Sequence, residues 1–199
     1  MKTLAFELST SRGSLAWLEG AIEFTREWPN DRKNSVAFFE NLQAVQGTFG
    51  APETIIVGLG PGSYAGTRIA ISAAIGIQLS CDARLIGYPS ICVMQSDAQE
   101  YCVIGDARRK SFFFAHIFQN GVIEGPTLFS EVDLKARLES LDAATPLFSS
   151  ESLPQFQRAV LSFPLALNLA RLAKEPRRSF CLPPLQPLYL REPHITMPI

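Results

Sequence analysis

The segment of this sequence best suited to chemistry is a loop with four glycines in nine residues, Gly58-Leu59-Gly60-Pro61-Gly62-Ser63-Tyr64-Ala65-Gly66, followed by Thr67 and Arg68. Glycine permits positive φ angles and lets backbone N–H groups approach a ligand closely. The loop leaves a β-branched run, Thr54 to Val57, and opens a helix. Free N–H groups and the helix dipole at that place favour an anion. No Lys follows the glycines, and neither GxxxxGK[ST] nor GxGxxG is matched, so this is neither of the two common nucleotide loops. A tight turn that lets strand and helix pack closely accounts for the same residues equally well. Glu7 ends the first predicted strand and Asp106 ends the first strand of the second half, where each can be a nucleotide-site carboxylate or simply a turn or cap residue. Arg108-Arg109-Lys110 reads as a solvated hairpin corner. The four cysteines form no CxxC pair, and His116 and His194 lie far apart. No metal site is readable from such a set. Buried free thiols in a reducing cytoplasm fit the cysteines.

The elements that must hold these residues follow from periodicity. Thr3 to Leu8, Ser14 to Leu18 and Ala21 to Trp28 read as three strands, with Gly13 and Glu19-Gly20 as the turns between them. Pro29-Asn30-Asp31 stops the third strand and offers caps for a helix carrying Phe38, Leu42, Val45 and Phe49 on one face. Thr54 to Val57 is continuous rather than alternating, as a strand covered on both faces should be. A second helix is predicted from Thr67 to Leu79, a strand from Arg84 to Tyr88 and a further helix from Pro89 to Gln99. The second half repeats the order loosely. It has strands at Tyr101 to Ile104, Ser111 to Phe118 and Val122 to Phe129, then a helix capped by Ser130, a strand at Pro146 to Phe148 and a helix at Pro164 to Lys174. Seven of the fourteen prolines fall after residue 163, which predicts an irregular tail lying against the body. Two such halves imply a duplicated α/β architecture of the actin-like ATPase (ribonuclease H-like) kind, with residues 1–100 as the first lobe and 101–199 as a smaller second lobe.

Composition sets the class. With 199 residues, 47% hydrophobic, 19% charged and a net charge of −1, the chain can build a sizeable core and lacks the signature of disorder. That charge also argues against a nucleic-acid-coating protein, and neither a signal peptide nor a bilayer-spanning run is expected. The helix after the glycine loop has no charged residue from Ile69 to Cys81. A helix apolar all round must be covered on every side, either inside the domain or by another protein. Small residues Ala70, Ala73, Ala74 and Gly76 would let a neighbouring helix approach, and Phe39 points away from the main stripe of the preceding helix. An interface built from Phe38, Phe39, Leu42, Val45, Ile69, Ala73, Ile75 and Gly76 is therefore expected.

The segment GLGPGSYAGTRIAISAAIGI resembles the GxGPGSFTGxRIGxxxAxGL pattern of the TsaB (YeaZ) family. Leu4-Ala5-Phe6-Glu7-Leu8-Ser9-Thr10 is similar to that family's LAIDTAT opening, Leu85 to Ile91 to its IGVSTL segment, Gly105-Asp106-Ala107-Arg108 to its IDAR and Pro187-Leu188-Tyr189-Leu190-Arg191 to its PxYLR ending. The resemblance implies a two-lobed actin-like fold with a reduced second lobe. It also implies a non-catalytic, cytoplasmic subunit without a cofactor. Such a subunit pairs with TsaD, works with the ATPase TsaE, and forms homodimers when TsaD is absent. It supports N6-threonylcarbamoyladenosine formation on tRNAs reading A-starting codons and meets tRNA only through the complex. The family pairs through its first two helices. The HxxxH of TsaD is absent from this sequence. Three departures stand out: the family's Asp in the first strand is Glu7, its early His is missing from Arg32-Lys33-Asn34-Ser35, and its Phe-Thr in the loop is Tyr64-Ala65. An actin-fold kinase or ATPase using Glu7, Asp106 and the loop is the competing expectation. An older metalloprotease reading of the family ranks last, because two distant histidines cannot build a metal site.

Overall fold

The computed structural model describes residues 1–30 and 35–191. Asp31 and the Arg32-Lys33-Asn34 segment, like Glu192 and His194, lie outside the described residues. The chain forms two five-stranded sheets with the same plan. In the first, β1 (Lys2–Glu7), β2 (Arg12–Glu19), β3 (Ile22–Pro29), β4 (Thr54–Gly58) and β5 (Arg84–Tyr88) run in the order β3-β2-β1-β4-β5. The second contains β6 (Glu100–Asp106), β7 (Ser111–Phe118), β8 (Gly121–Ser130), β9 (Leu147–Ser149) and β10 (Val160–Leu161), in the order β8-β7-β6-β9-β10. In each sheet the first three strands pair antiparallel and the last two join parallel to the first. That repeated topology is the duplication the sequence implies, and the actin-like fold stands.

Four helices cover the sheets: α1 (Val36–Phe49), α2 (Tyr64–Cys81), α3 (Glu131–Glu139) and α4 (Ala166–Leu172). Side chains alternate across a strand, and here the two faces of the first sheet feed two different cores. Leu4, Phe6, Leu15, Trp17, Ile55 and Val57 pack under α1 and α2. Ala5, Ala16, Leu18, Ile56 and Ile86 face the opposite way and share one apolar cluster with Tyr101, Val103, Phe113, Ala115 and Ile117 of the second sheet. The lobes are thus joined by a common core. A third cluster, with Cys102, Ile104, Phe114 and Leu134, closes the outer face of the second sheet under α3. Although α4 is encoded in the second half, it packs on β1, β2 and β4. Its Ala166 N–H reaches the Ser14 hydroxyl at 2.9 Å, and Arg171 pairs with Glu23 at 2.9 Å.

The helix expected from Pro89 to Gln99 is corrected to a single 3-10 turn, Ser90–Val93. The carbonyls that would continue a helix are taken by distant donors. Tyr101 Oη donates to Ile91 O, Asn120 Nδ2 to Cys92 O, and Leu165 N to Val93 O. Among the described residues no helix is long and apolar enough to cross a membrane. The four cysteines are free: Cys92 and Cys102 are buried, whereas Cys81 is half-buried and Cys181 is exposed, against the expectation of burial for all four. Burial pushes the thiols of Cys92 and Cys102 up to about 12 and about 11.

Candidate functional site

Two features of the surface offer function: a cleft between the lobes, and the outer side of α1 and α2. The cleft, of about 670 Å³, is lined by the hydroxyl run after β1, the glycine loop, the end of β6 with its turn, and the tail at Pro187 to Arg191. Each wall is built from a strand that ends where the chain must turn. The loop's glycines are required by close approach to the β1 exit. A Cβ on Gly62 would lie 2.0 Å from the Ser9 carbonyl oxygen, and one on Gly66 would lie 2.1 Å from that of Leu8. Ser63 caps α2 by accepting the Gly66 N–H at 3.2 Å, and its own N–H goes to Ser9 O at 2.6 Å. Gly60, at φ 90°, donates its N–H to the Ser90 hydroxyl at 2.9 Å, and Ser90 N–H returns to Gly60 O at 2.8 Å. Strand-to-helix packing and an exposed rank of helix N-terminal amides therefore occur together in this loop. Arg68 lies over the Tyr64 ring, which in turn rests 5.5 Å from that of Tyr189 at the cleft mouth.

Glu7 and Asp106 close β1 and β6, as the sequence predicts. Their environments differ. Glu7 is fully buried and does not line the cleft; its Oε1 accepts the Ser9 N–H at 2.7 Å. Gly58 covers it so tightly that a Cβ there would meet Oε2 at 1.8 Å. Burial raises its pKa above the ordinary 4.5, against the smaller pull of the nearby Ser9 and Ser90 groups. Asp106 lines the cleft, but its oxygens accept the Arg108 N–H at 2.6 Å and Nη1 at 3.1 Å. Arg108, Arg109 and Lys110 follow in left-handed conformation and form the exposed corner expected of them. An actin-like ATPase fold implies a nucleotide-bound magnesium ion, and these residues do not fit one. One carboxyl is sealed away and the other is paired to an arginine. Among the described residues no three His, Cys, Asp or Glu side chains gather at ligand spacing. His116 instead meets Glu100 at 2.9 Å on the outside of the second lobe.

The outer helices divide the expected interface set. Phe38, Leu42 and Val45 are buried in the core of their own lobe, where Phe38 packs edge-on against Phe6 at 5.3 Å. They are corrected from interface residues to the inner face of α1, because that face is the one the sheet covers. Phe39, at 49% exposure, stands outside. On α2 the inner face is Ala70, Ile71, Ala74 and Ile77. Ile69 and Ala73 are half-buried at its flank, whereas Ile75 at 41%, Gly76 and Leu79 at 82% look outward. The domain therefore does not enclose this uncharged helix, and an apolar side is left in solvent.

Sequence reasoning missed the part played by Ser9, Ser90 and Arg191, which reach this cleft from three separate segments. The hydroxyl run Ser9-Thr10-Ser11 directly after a buried carboxylate was the available signal.

A family model, TsaD: tRNA N6-adenosine threonylcarbamoyltransferase, matches residues 35–186. No curated protein matches the chain by sequence. Two solved structures superpose along nearly the whole length. One is YeaZ from Pseudomonas aeruginosa, with TM-score 0.74 and 17% identity over 95% of this chain and 100% of that one. The other is a protein described as similar to peptidase YEAZ from Pseudomonas aeruginosa, with TM-score 0.74 and 20% identity over 96% and 99%. At such identities the likeness is one of fold. Together with the family match it supports the TsaB (YeaZ) assignment that the motifs suggest. The chain belongs to the TsaD family, and it is built on the YeaZ fold.

Proposed function

We propose that this chain is a non-catalytic scaffold subunit for N6-threonylcarbamoyladenosine formation on tRNA in the cytoplasm. In this reading it binds TsaD through the outer side of α1 and α2, works alongside TsaE, and meets tRNA only through the complex. The observation behind this reading is the uncovered apolar side formed by Phe39, Ile75 and Leu79. Apolar surface on a folded domain is favourable to bury, and a contiguous patch commonly marks a docking surface. In the absence of TsaD the same side would pair two copies of the chain. The sealed Glu7 and the arginine-bound Asp106 fit a subunit that leaves chemistry to its partner.

The test is a modification assay with purified TsaD, TsaE and threonylcarbamoyl-AMP synthase, run with and without this chain. Modification that needs the chain, with no ATP turnover by the chain alone, is the expected result. Magnesium-dependent ATP turnover by the isolated chain, abolished by Glu7→Ala, would make it an actin-fold kinase or ATPase instead.

A further inference from the structure

Four buried side-chain atoms have no hydrogen-bond partner among the described residues: Thr3 Oγ1, Glu7 Oε2, Ser9 Oγ and Arg191 Nε. Folded proteins leave few such groups unpaired, since each costs about 1–3 kcal/mol. Three of the four belong to one place. Ser9 and Arg191 line the interlobe cleft, and Glu7 lies behind Ser9. Ser9 is only 2% exposed. Its side chain stands against the glycine loop, with Cβ 3.2 Å from where a Cβ on Gly62 would sit. Its hydroxyl is near the Glu7 carboxyl but makes no hydrogen bond to it.

The amides beside it share this condition. Ser63 takes the N–H groups of Gly66 and Thr67, while those of Gly62, Tyr64 and Ala65 have no protein acceptor among the described residues. Arg191 is brought to the cleft by the tail, which is pinned by Leu188 N–H to Leu59 O at 2.8 Å and by Tyr189 against Tyr64. A hydroxyl, a guanidinium N–H and helix N-terminal amides are all donors. What they lack is an acceptor. On the facing wall the two carboxylates are already engaged, Asp106 with Arg108 and Glu151 with the Asp106 N–H at 2.6 Å, so a cation finds no free ligand there.

We infer that the interlobe cleft binds an oxyanion, a phosphate or carboxylate group, held by the Ser9 hydroxyl, the Arg191 guanidinium and the N-terminal amides of α2 without a metal ion. This goes beyond the scaffold reading and can fail while the modification assay succeeds.

Isothermal titration calorimetry on the full chain near pH 7 tests it, with inorganic phosphate, acetate and adenosine monophosphate as probes and adenosine as the control. Phosphate or acetate should bind at one site per chain, and adenosine should not bind. Arg191→Gln and Ser9→Ala should each weaken binding about tenfold or more, the loss expected for one hydrogen bond to a charged group. Arg191→Lys should weaken it as well, because an ammonium cannot reproduce the planar fork. Adenosine monophosphate binding more tightly than phosphate would identify a nucleotide as the source of the anion; equal binding would identify a free anion. If Ser9→Ala fails to fold, the two Arg191 variants, altered in the peripheral tail, decide the matter. Absence of heat with all three anions, or affinity unchanged by both Arg191 variants, overturns the inference.

Discussion

Glu7 sits where the fold would ordinarily keep an ionised carboxyl, yet it is enclosed on all sides. Its raised pKa means that the folded state holds the proton more tightly than the unfolded chain. Stability from this group is therefore full below about pH 4.5, falls as pH rises toward the folded value, and stays lower above it. Glu7→Gln keeps Oε1 for the Ser9 N–H and removes the ionisation. Urea midpoints measured from pH 4 to 8 should show the variant gaining on the parent as pH rises; parallel curves would mean that Glu7 does not change its protonation on folding. Two glycines of α2 make an opposite pair. Gly66 touches the β1 backbone, so Gly66→Ala should destabilise by about 1–3 kcal/mol despite the better helix propensity. Gly76 meets nothing within 4 Å, so Gly76→Ala should stabilise the monomer by about 0.5–1 kcal/mol. Thermal melts of both proteins would expose any error in either sign.

At the level of helices and strands, much was readable because periodicity reports burial. The alternation in β1 and β2 and the continuous run in β4 placed those strands, and the spacing of Phe38, Leu42 and Val45 placed the inner face of α1. Which side of α1 meets the sheet and which meets solvent was not readable, since Phe38 and Phe39 differ in register and not in type. The segment after Pro89 was misread for a related reason: its fate depends on Tyr101, Asn120 and Leu165, donors far away in the chain. The corrected faces sharpen the mutational test of pairing. Phe38→Ala, at 1% exposure and stacked among Phe6 and Trp28, should cost about 3–5 kcal/mol of stability. Ile75→Glu should leave stability within about 0.5 kcal/mol while abolishing association with TsaD or with a second copy. Light scattering together with melting curves separates the two effects, and an Ile75→Glu protein that still associates would remove α2 from the interface.

Between the lobes, the sequence showed the duplication but not what joins its two copies. The joint is a shared apolar core, tightened at its edge by Arg178, which the sequence presents only as one arginine in a Pro-rich tail. Its guanidinium donates to the Tyr88 hydroxyl at 2.8 Å, to Asn120 O at 3.2 Å and to Gln119 O at 3.0 Å, while Nε pairs with Glu175 at 2.6 Å. Tyr88 comes from the first sheet and closes the ring by donating to Asn120 O at 2.7 Å, so strand, hairpin turn and tail meet on one side chain. The tail that brings Arg191 and Tyr189 to the cleft follows directly from this anchor. Arg178→Met keeps the stem and removes the donors, and should cost about 1.5–3 kcal/mol, the range for hydrogen bonds to a charged group. Because the shared core persists, unfolding should remain a single transition with Tm lowered by about 2–4 °C for each kcal/mol lost. Arg178→Lys should recover only part of the loss, since one ammonium cannot reach all three oxygens in the geometry of the fork. Calorimetry decides between two pictures of the joint. One lowered peak assigns Arg178 to its edge, whereas two separated peaks would mean that this residue, and not the common core, holds the lobes together.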